Sequence, residues 1–124
     1  MRDFKKYDAW KLSHEITLEV YLITQSFPEN AKLQLVSEIQ KAACSIPSNF
    51  SEGCGRDSDS DFKMFIQLCL GSAHELEYLI LLAKDLKFIE EVVHQDLYKM
   101  IDLLKQELSR LSEKLASSVV CFML

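Results

Sequence analysis

Histidine and glutamate stand side by side twice in this sequence, and that pair opens the zinc-protease motif H-E-x-x-H. His14-Glu15 and His74-Glu75 are the two occurrences, but the closing histidine is replaced by Leu18 in the first and by Tyr78 in the second. Zinc requires the second imidazole on the same face of the helix. Neither occurrence therefore predicts a zinc site.

Two other stretches have the spacing of metal sites. Glu91 and His94 match the E-x-x-H motif of carboxylate-bridged di-iron bundles, but such a site needs a second copy, and none occurs. The aspartates of residues 57–61 imitate the start of a calcium loop, whose sixth and twelfth positions here are Phe62 and Leu68 instead of glycine and glutamate. The sequence predicts no metal and no cofactor.

The four cysteines contain no C-x-x-C pair and no metal-binding spacing. Cys54 lies in a glycine turn near Arg56, which makes it the candidate for a mildly reactive thiol. No set of nucleophile and base accompanies it, so we expect no enzyme activity. No secretory apolar segment follows the first residues, and we therefore expect a cytoplasmic location with reduced thiols.

The composition favours a helical domain. The chain has 124 residues, 48% of them hydrophobic, with only three glycines and two prolines. The formal charge of −5 provides no overall positive field to hold nucleic acid or an anionic membrane. The unbroken apolar runs are shorter than a membrane span, so no membrane association is expected.

Apolar residues recur at steps of three and four in four stretches, which predicts helices at 8–26, 31–54, 58–86 and 90–117. Short connections join them, so the predicted fold is all-α, a single domain with an antiparallel up-down four-helix bundle. Residues 1–7 are read as a lead-in. Residues 118–124 form an apolar tail that is expected to dock on the bundle or on a neighbour.

Local signals mark the ends of these helices. Asp8 and Ser58 are the expected N-caps, and Pro28 ends the first helix. Pro47 lies inside the apolar pattern of the second helix, where it removes one backbone donor and crowds the carbonyl of Ala43. The pattern predicts a continuous, kinked second helix.

The third predicted helix carries two apolar series. The first is a heptad seam: Phe62, Ile66, Cys69, Ala73, Leu76, Ile80 and Ala83. A second series with the same steps runs beside it: Met64, Leu68, Gly71, Glu75, Tyr78 and Leu82. A surface helix of a small monomer needs only one such stripe. The second series therefore predicts a contact with another subunit. Leu18 and Leu22, four residues apart on the outer face of the first helix, indicate the same.

Four stretches of the sequence resemble one family. They are residues 7–11, Phe27-Pro28, residues 45–53 with Arg56, and residues 71–77. Together they are similar to the bacterial four helix bundle protein family, over roughly residues 4–115. Its members are also called ribosomal RNA intervening-sequence proteins, because some are encoded within insertions in large-subunit ribosomal RNA genes.

The resemblance implies a left-handed antiparallel four-helix bundle that assembles as a ring, usually a homopentamer. It also implies kinship with the accessory variability protein of diversity-generating retroelements, a basic pentamer that works with a reverse transcriptase and RNA. The motif residues to which we assign structural roles are Trp10, Pro47, Asn49, Glu52, Gly53 and Arg56.

Plain structural roles account for several motif residues. Trp10 fits an amphipathic plug at one end of the bundle, and Asn49 is placed to satisfy carbonyls freed by Pro47. Gly71 would allow close helix approach. Glu75, within an apolar series, would need a buried partner or would specify the register between subunits.

The chain departs from the family in its basic residues. An arginine pair of the second helix is reduced to Lys41, and the arginine before the third-helix glycine is Leu70. Residues 57–86 have a net charge of −4. Lys41 and Arg56 remain as candidate nucleic-acid contacts. Lys87 stands where a glycine often closes the third helix, so we expect that turn to be built differently.

Two functions follow from these observations. The first is a structural homo-oligomer and interaction module, with itself and an unknown protein as partners and without catalysis. The alternative is an accessory factor for nucleic-acid transactions, with RNA or a reverse transcriptase as partner. Basic charge along one face would favour the alternative, and it is largely missing.

Overall fold

The computed structural model describes the backbone of residues 2–123 and the side chains of residues 2–117. The predicted all-α four-helix bundle is confirmed. Its long helices are α1 (Asp8–Thr24), α2 (Ser37–Cys54), α3 (Asp59–Asp85) and α4 (Glu91–Met123). A 3-10 turn (Phe4–Lys6) precedes α1, and a one-turn helix (Glu29–Ala31) and a π-helical segment (Lys32–Val36) lead into α2.

Each helix packs against two others, in the cyclic order α1, α2, α3, α4. Two hydrogen bonds join α1 to α2, and two join α3 to α4. In each pair, a higher residue number on one helix bonds to a lower number on the other, so these neighbouring helices run antiparallel. The pairs are Thr17 with Ala43, Thr24 with Gln40, Gln67 with Ser112, and Glu77 with Lys105. The helices α1 and α3 consequently lie diagonally opposite each other.

The core is built on one face of α3. All seven residues of its predicted heptad seam, from Phe62 to Ala83, are at most 1% exposed. Fully buried side chains from the other helices close around them: Ile16 and Val20 of α1, Ile39, Ile46 and Phe50 of α2, and Ile101, Leu104 and Leu108 of α4. The sequence periodicity therefore located the core face of α3 correctly.

Several predicted boundaries were wrong in detail. Tyr7 is the N-cap of α1 and makes no side-chain bond to it, so Asp8 is its first helical residue and not its cap. The end of α1 tightens into three-residue turns between Leu22 and Phe27, which moves its last α-helical residue to Thr24. Ser58 does cap α3, accepting the amide of Asp61 at 3.0 Å.

The last helix continues to Met123, six residues beyond the predicted end. Neither glycine nor proline follows residue 117, so no local signal stops the helix there. The predicted docking of the apolar tail concerns side chains of residues 118–124, which lie outside those that the structure describes.

Pro47 lies inside α2, which continues unbroken through it, as predicted. The carbonyl of Ala43 has no helical donor, because proline has no N–H. The Thr17 hydroxyl of α1 lies 3.2 Å from that oxygen and 2.8 Å from the carbonyl of Ser13 in its own helix. The hydroxyl has one hydrogen, which these two carbonyls share, so a side chain of a neighbouring helix partly replaces the missing amide. The kink itself stays a prediction.

The helices α2 and α3 pack in close contact at Gly53. A Cβ atom placed there would lie 2.6 Å from the Cβ of Phe65 and 3.0 Å from a ring carbon of Phe62. The Cβ of Phe65 is fixed to the backbone of α3, so it cannot move aside unless the helix moves. Only glycine fits this position without separating the two helices.

The end of α3 uses a left-handed residue that is not glycine. Lys87 has φ of 66°. The amide of Phe88 donates to the carbonyl of Ala83 and that of Lys87 to the carbonyl of Lys84, both at 2.9 Å. This is the Schellman motif that a glycine normally completes. Our expectation of a different turn was wrong: lysine adopts the same one, at a cost of roughly 1–2 kcal/mol.

The α3 helix is also long and apolar enough, by length and composition alone, to cross a membrane. Core helices of soluble proteins pass the same test, and 39% of the apolar window of α3 is buried inside the bundle. The expectation of no membrane association stays a prediction.

Replacing Gly53 with alanine should lower the free energy of unfolding by about 1–3 kcal/mol, because the methyl group overpacks the α2–α3 contact. Gly55→Ala is the matched control, since its Cβ would meet only the Glu52 carbonyl oxygen, at 3.3 Å. Urea denaturation followed by circular dichroism measures both. Equal stability of the two variants would contradict the close-packing argument.

The Thr17–Ala43 bond can be tested by a double-mutant cycle. Thr17→Val leaves a buried carbonyl without its donor and should cost about 1–3 kcal/mol of stability. Pro47→Ala supplies the missing amide, so the same Thr17→Val change should cost clearly less in that background. Denaturant unfolding of the four proteins gives the coupling. A cost of Thr17→Val that does not depend on residue 47 would disprove the compensation.

Candidate assembly surface

The second apolar series of α3 lies on the outside of the bundle. We call its six residues, Met64, Leu68, Gly71, Glu75, Tyr78 and Leu82, the outer stripe. Residues two apart on a helix point about 200° away from each other. The outer stripe therefore faces away from the core seam, and the prediction that it runs beside that seam was wrong.

Large apolar side chains of the outer stripe are open to solvent within the single chain. Met64 is 57% exposed, Leu68 51% and Tyr78 59%, whereas Leu82 is half-buried. The stripe thus contains an apolar surface that the chain itself does not cover. A monomeric protein seldom leaves such residues aligned along one helix.

A second exposed apolar group lies on α1, diagonally across the bundle. Leu18 is 57% exposed and Leu22 61%, which agrees with their predicted position on the outer face of the first helix. Tyr21, 44% exposed, belongs with them and was missed. Its step of three residues from Leu18 was the signal that could have found it.

The helices α4 and α2 differ in how much apolar surface they expose. On α4, Val92, Tyr98 and Leu103 are exposed to between 47% and 64%, and sequence reasoning did not single them out. Between Ser37 and Cys54, by contrast, α2 exposes no large apolar side chain. The exposed apolar surface is therefore confined to particular helices and is not spread evenly around the bundle.

Two polar features interrupt the outer stripe. A Cβ atom at Gly71 would meet no atom within 4 Å, so Gly71 permits no close helix contact within this chain. Glu75 is exposed, and none of the ion pairs among residues 2–117 includes it. Both predicted roles, close approach and register, therefore apply only between chains and stay predictions.

The motif residues of α2 take structural positions. Asn49 is half-buried, and its amide donates to the carbonyl of Ser45 at 2.8 Å. That carbonyl is not the one freed by Pro47, so the prediction for Asn49 was wrong in its target; Thr17 serves the freed oxygen of Ala43 instead. Pro47 itself is buried.

An aromatic cluster holds the chain segment before α1 against the bundle. Tyr7 packs edge-on against Phe50 at 5.3 Å and against Phe62 at 5.9 Å. The guanidinium of Arg2 lies 4.5 Å from the ring centre of Phe62, donates to the Arg56 carbonyl and pairs with Asp59. Residues 1–7 were read only as a lead-in, because an isolated arginine near a chain end gives no sequence signal.

Trp10 is half-buried near the start of α1, as expected of an amphipathic plug. Its ring lies 4.9 Å from that of Phe4 and stacks on His14 at 5.1 Å. The ring packs against the core and leaves one edge in a shallow cleft between α1 and α4.

The candidate nucleic-acid contacts do not form one patch. Lys41 and Arg56 are fifteen positions apart, roughly 20 Å along a helix. Arg56 is also engaged: it pairs with Glu52 at 3.1 Å and lies over the ring of Phe65 at 4.9 Å. Lys41 is exposed on the outer face of α2.

The cysteines do not support a reactive centre at Cys54. Burial raises the pKa of the Cys54 thiol to about 11, and nearby Arg2 only partly opposes that rise. Burial also raises the pKa of Cys69 to about 12. Burial therefore makes Cys54 a poor candidate for a reactive thiol. Within the described part of the chain, no three His, Cys, Asp or Glu side chains are grouped to hold a metal ion.

A family model described as 23S rRNA-intervening sequence protein matches residues 5–110. The chain belongs to this family. The match spans α1, α2 and α3 and most of α4, and it confirms the resemblance drawn from the sequence motifs. A comparison with curated proteins found no match. The relation to the accessory variability protein of retroelements stays a prediction.

The intervening sequence protein family is not a known enzyme family, and its function is uncharacterised. The family assignment therefore agrees with the reading of the chain as a helical bundle and adds no reaction to it. The function has to be argued from the surface itself.

The thiols should differ in reactivity. At about pH 8, a thiol with a pKa of about 11 is ionised in only about one molecule in a thousand. Cys54 and Cys69 should therefore react with a disulfide reagent only on unfolding, whereas the exposed Cys44 should react in the native state. Stopped-flow labelling in a Cys121→Ser background, with Cys44→Ser as control, measures this. Fast native labelling that survives Cys44→Ser would contradict the assignment.

Proposed function

We propose that the protein is a structural, self-assembling interaction module: a ring-like homo-oligomer, a pentamer as the family resemblance implies, that works in the cytoplasm. An unknown protein is the further partner, and no catalysis is involved. The observation that carries the proposal is the outer stripe, an apolar surface along α3 that its own chain leaves open to solvent.

The energy available from this surface favours association. Complete burial of a large apolar side chain contributes about 1.5–3 kcal/mol, and these side chains are only partly exposed, so each contributes roughly half of that. Met64, Leu68 and Tyr78 with Leu18 and Leu22 would then contribute several kcal/mol. Stable assembly also needs about 800 Å² from each partner, so neighbouring polar residues must join the contact.

The position of the two apolar groups favours a ring. The outer stripe on α3 and the Leu18–Leu22 pair on α1 belong to helices that lie diagonally opposite. A contact between the outer stripe of one subunit and the α1 face of the next is heterologous, and repeated heterologous contacts close into a ring when their rotation allows. Under this proposal Gly71 lets the helices of two subunits approach, and Glu75 sets their register.

The alternative of a nucleic-acid accessory factor finds no support at its predicted contacts. Arg56 is already paired with Glu52, and Lys41 stands far from it along α2. The outer stripe lies on the segment of highest negative charge, residues 57–86, which would repel a phosphate backbone.

Leu68→Glu tests the proposal. Leu68 is more exposed than Leu82, so this change should spare the fold while placing a charge in the apolar contact. We expect the oligomer to dissociate, with a dissociation constant raised at least about tenfold for each 1.4 kcal/mol lost. Light scattering coupled to gel filtration measures the mass.

Leu33→Glu is the matched control, because Leu33 is 92% exposed in the π-helical segment and lies outside the outer stripe. It makes the same change of charge and should leave the oligomer intact. Dissociation in both variants would move the interface elsewhere. A wild-type protein that runs as a stable 14.3 kDa monomer at micromolar concentration would end the proposal.

A further inference from the structure

A cleft of about 420 Å³ separates the start of α1 from α4, on a different side of the bundle from the outer stripe. Three cations line it: Lys6 from the 3-10 turn, and Arg110 and Lys114 from α4. We call it the basic cleft. It concentrates positive charge in a chain whose formal charge is −5.

These cations make no direct ion pair within the described part of the chain, although the carboxylates of Asp8 and Glu107 line the same cleft. The five ion pairs among residues 2–117 involve other basic residues, and Lys6, Arg110 and Lys114 belong to none of them. Arg110 and Lys114 are also four residues apart on α4, where like charges destabilise a helix. Lys6 approaches the same cleft from a separate element.

We infer that the basic cleft binds the phosphate of a ribonucleotide. Arginine presents a planar fork that bonds two phosphate oxygens at once, and the two lysines add positive charge beside it. A cleft of this volume is large enough for a nucleotide-sized ligand. The site lies apart from Lys41 and Arg56, the contacts predicted from the sequence.

The other side chains of the cleft suit the rest of a ribonucleotide. Tyr7 and Leu111, both half-buried, offer an apolar surface for the base. Asp8 and Glu107 also line the cleft and reduce its positive charge. Their carboxylates are acceptors for ribose hydroxyl groups, a contact that nucleotide-binding folds use to recognise ribose. The mixed lining therefore favours a ribonucleotide over a simple anion.

Fluorescence anisotropy of a short fluorescein-labelled oligoribonucleotide at low ionic strength tests the inference. The triple variant Lys6→Gln, Arg110→Gln, Lys114→Gln should bind at least about tenfold more weakly than wild type. It should also lower the slope of affinity against salt by roughly 2, the value for three lost phosphate contacts on a single strand.

The matched control is the triple variant Lys32→Gln, Lys87→Gln, Lys99→Gln. It makes the same change of charge at lysines that do not line the cleft, so its affinity should stay within about threefold of wild type. Circular dichroism and light scattering should show the wild-type fold and assembly in both. Equal weakening by the two triples, or no binding by wild type at low ionic strength, would overturn the inference.

Competition identifies the source of the phosphate. Displacement of the probe by AMP would support the cleft as a site for free nucleotides, whereas displacement only by unlabelled oligoribonucleotide would support a site for a strand. An oligodeoxyribonucleotide of the same sequence should compete less well. If it competed equally, the assignment to ribose would be wrong. None of these measurements depends on Leu68, so failure here is distinguishable from failure of the proposed assembly.

Discussion

The bundle depends on the contact between α2 and α3 at Gly53. Because glycine has no side chain, the Cβ of Phe65 can occupy space that the Cβ of any other residue at position 53 would need. That approach brings Phe50 and Phe62 together at 5.7 Å, which in turn creates the surface on which Tyr7 packs. Arg2 then lies over Phe62 and bonds across the α2–α3 turn. One end of the molecule is thus organised by a single close approach between two helices.

Several polar side chains of the bundle bond across to neighbouring helices. Thr17 serves the carbonyl that Pro47 leaves without a donor, Gln40 reaches Thr24, and Gln67 reaches Ser112. No buried side-chain nitrogen or oxygen within residues 2–117 lacks a partner. These cross-helix bonds help to fix the positions of the helices relative to one another, because hydrogen bonds are directional and apolar contacts are not.

The outer surface of the bundle differs from helix to helix in its exposed apolar residues. The α2 helix presents small and polar residues, whereas α3 presents the outer stripe and α1 presents Leu18 and Leu22. An apolar face that the chain cannot cover is stable in water only at a cost, which association removes. The basic cleft lies on the α1–α4 side, so the proposed binding site and the outer stripe of α3 are separate surfaces.

The sequence by itself determined the four helices, the core seam of α3 and the family, because a period of three and four residues and short motifs are local properties. It also indicated the exposed residues Leu18, Met64 and Tyr78. Only the tertiary structure decided which donor reaches the carbonyl of Ala43, and that the Cys54 thiol is buried. Lys6 is separated from Arg110 and Lys114 by about a hundred residues, and only the packing of the start of α1 against α4 places the three at one cleft. Contacts between residues far apart in the sequence depend on how the helices pack, and no local sequence pattern specifies that packing.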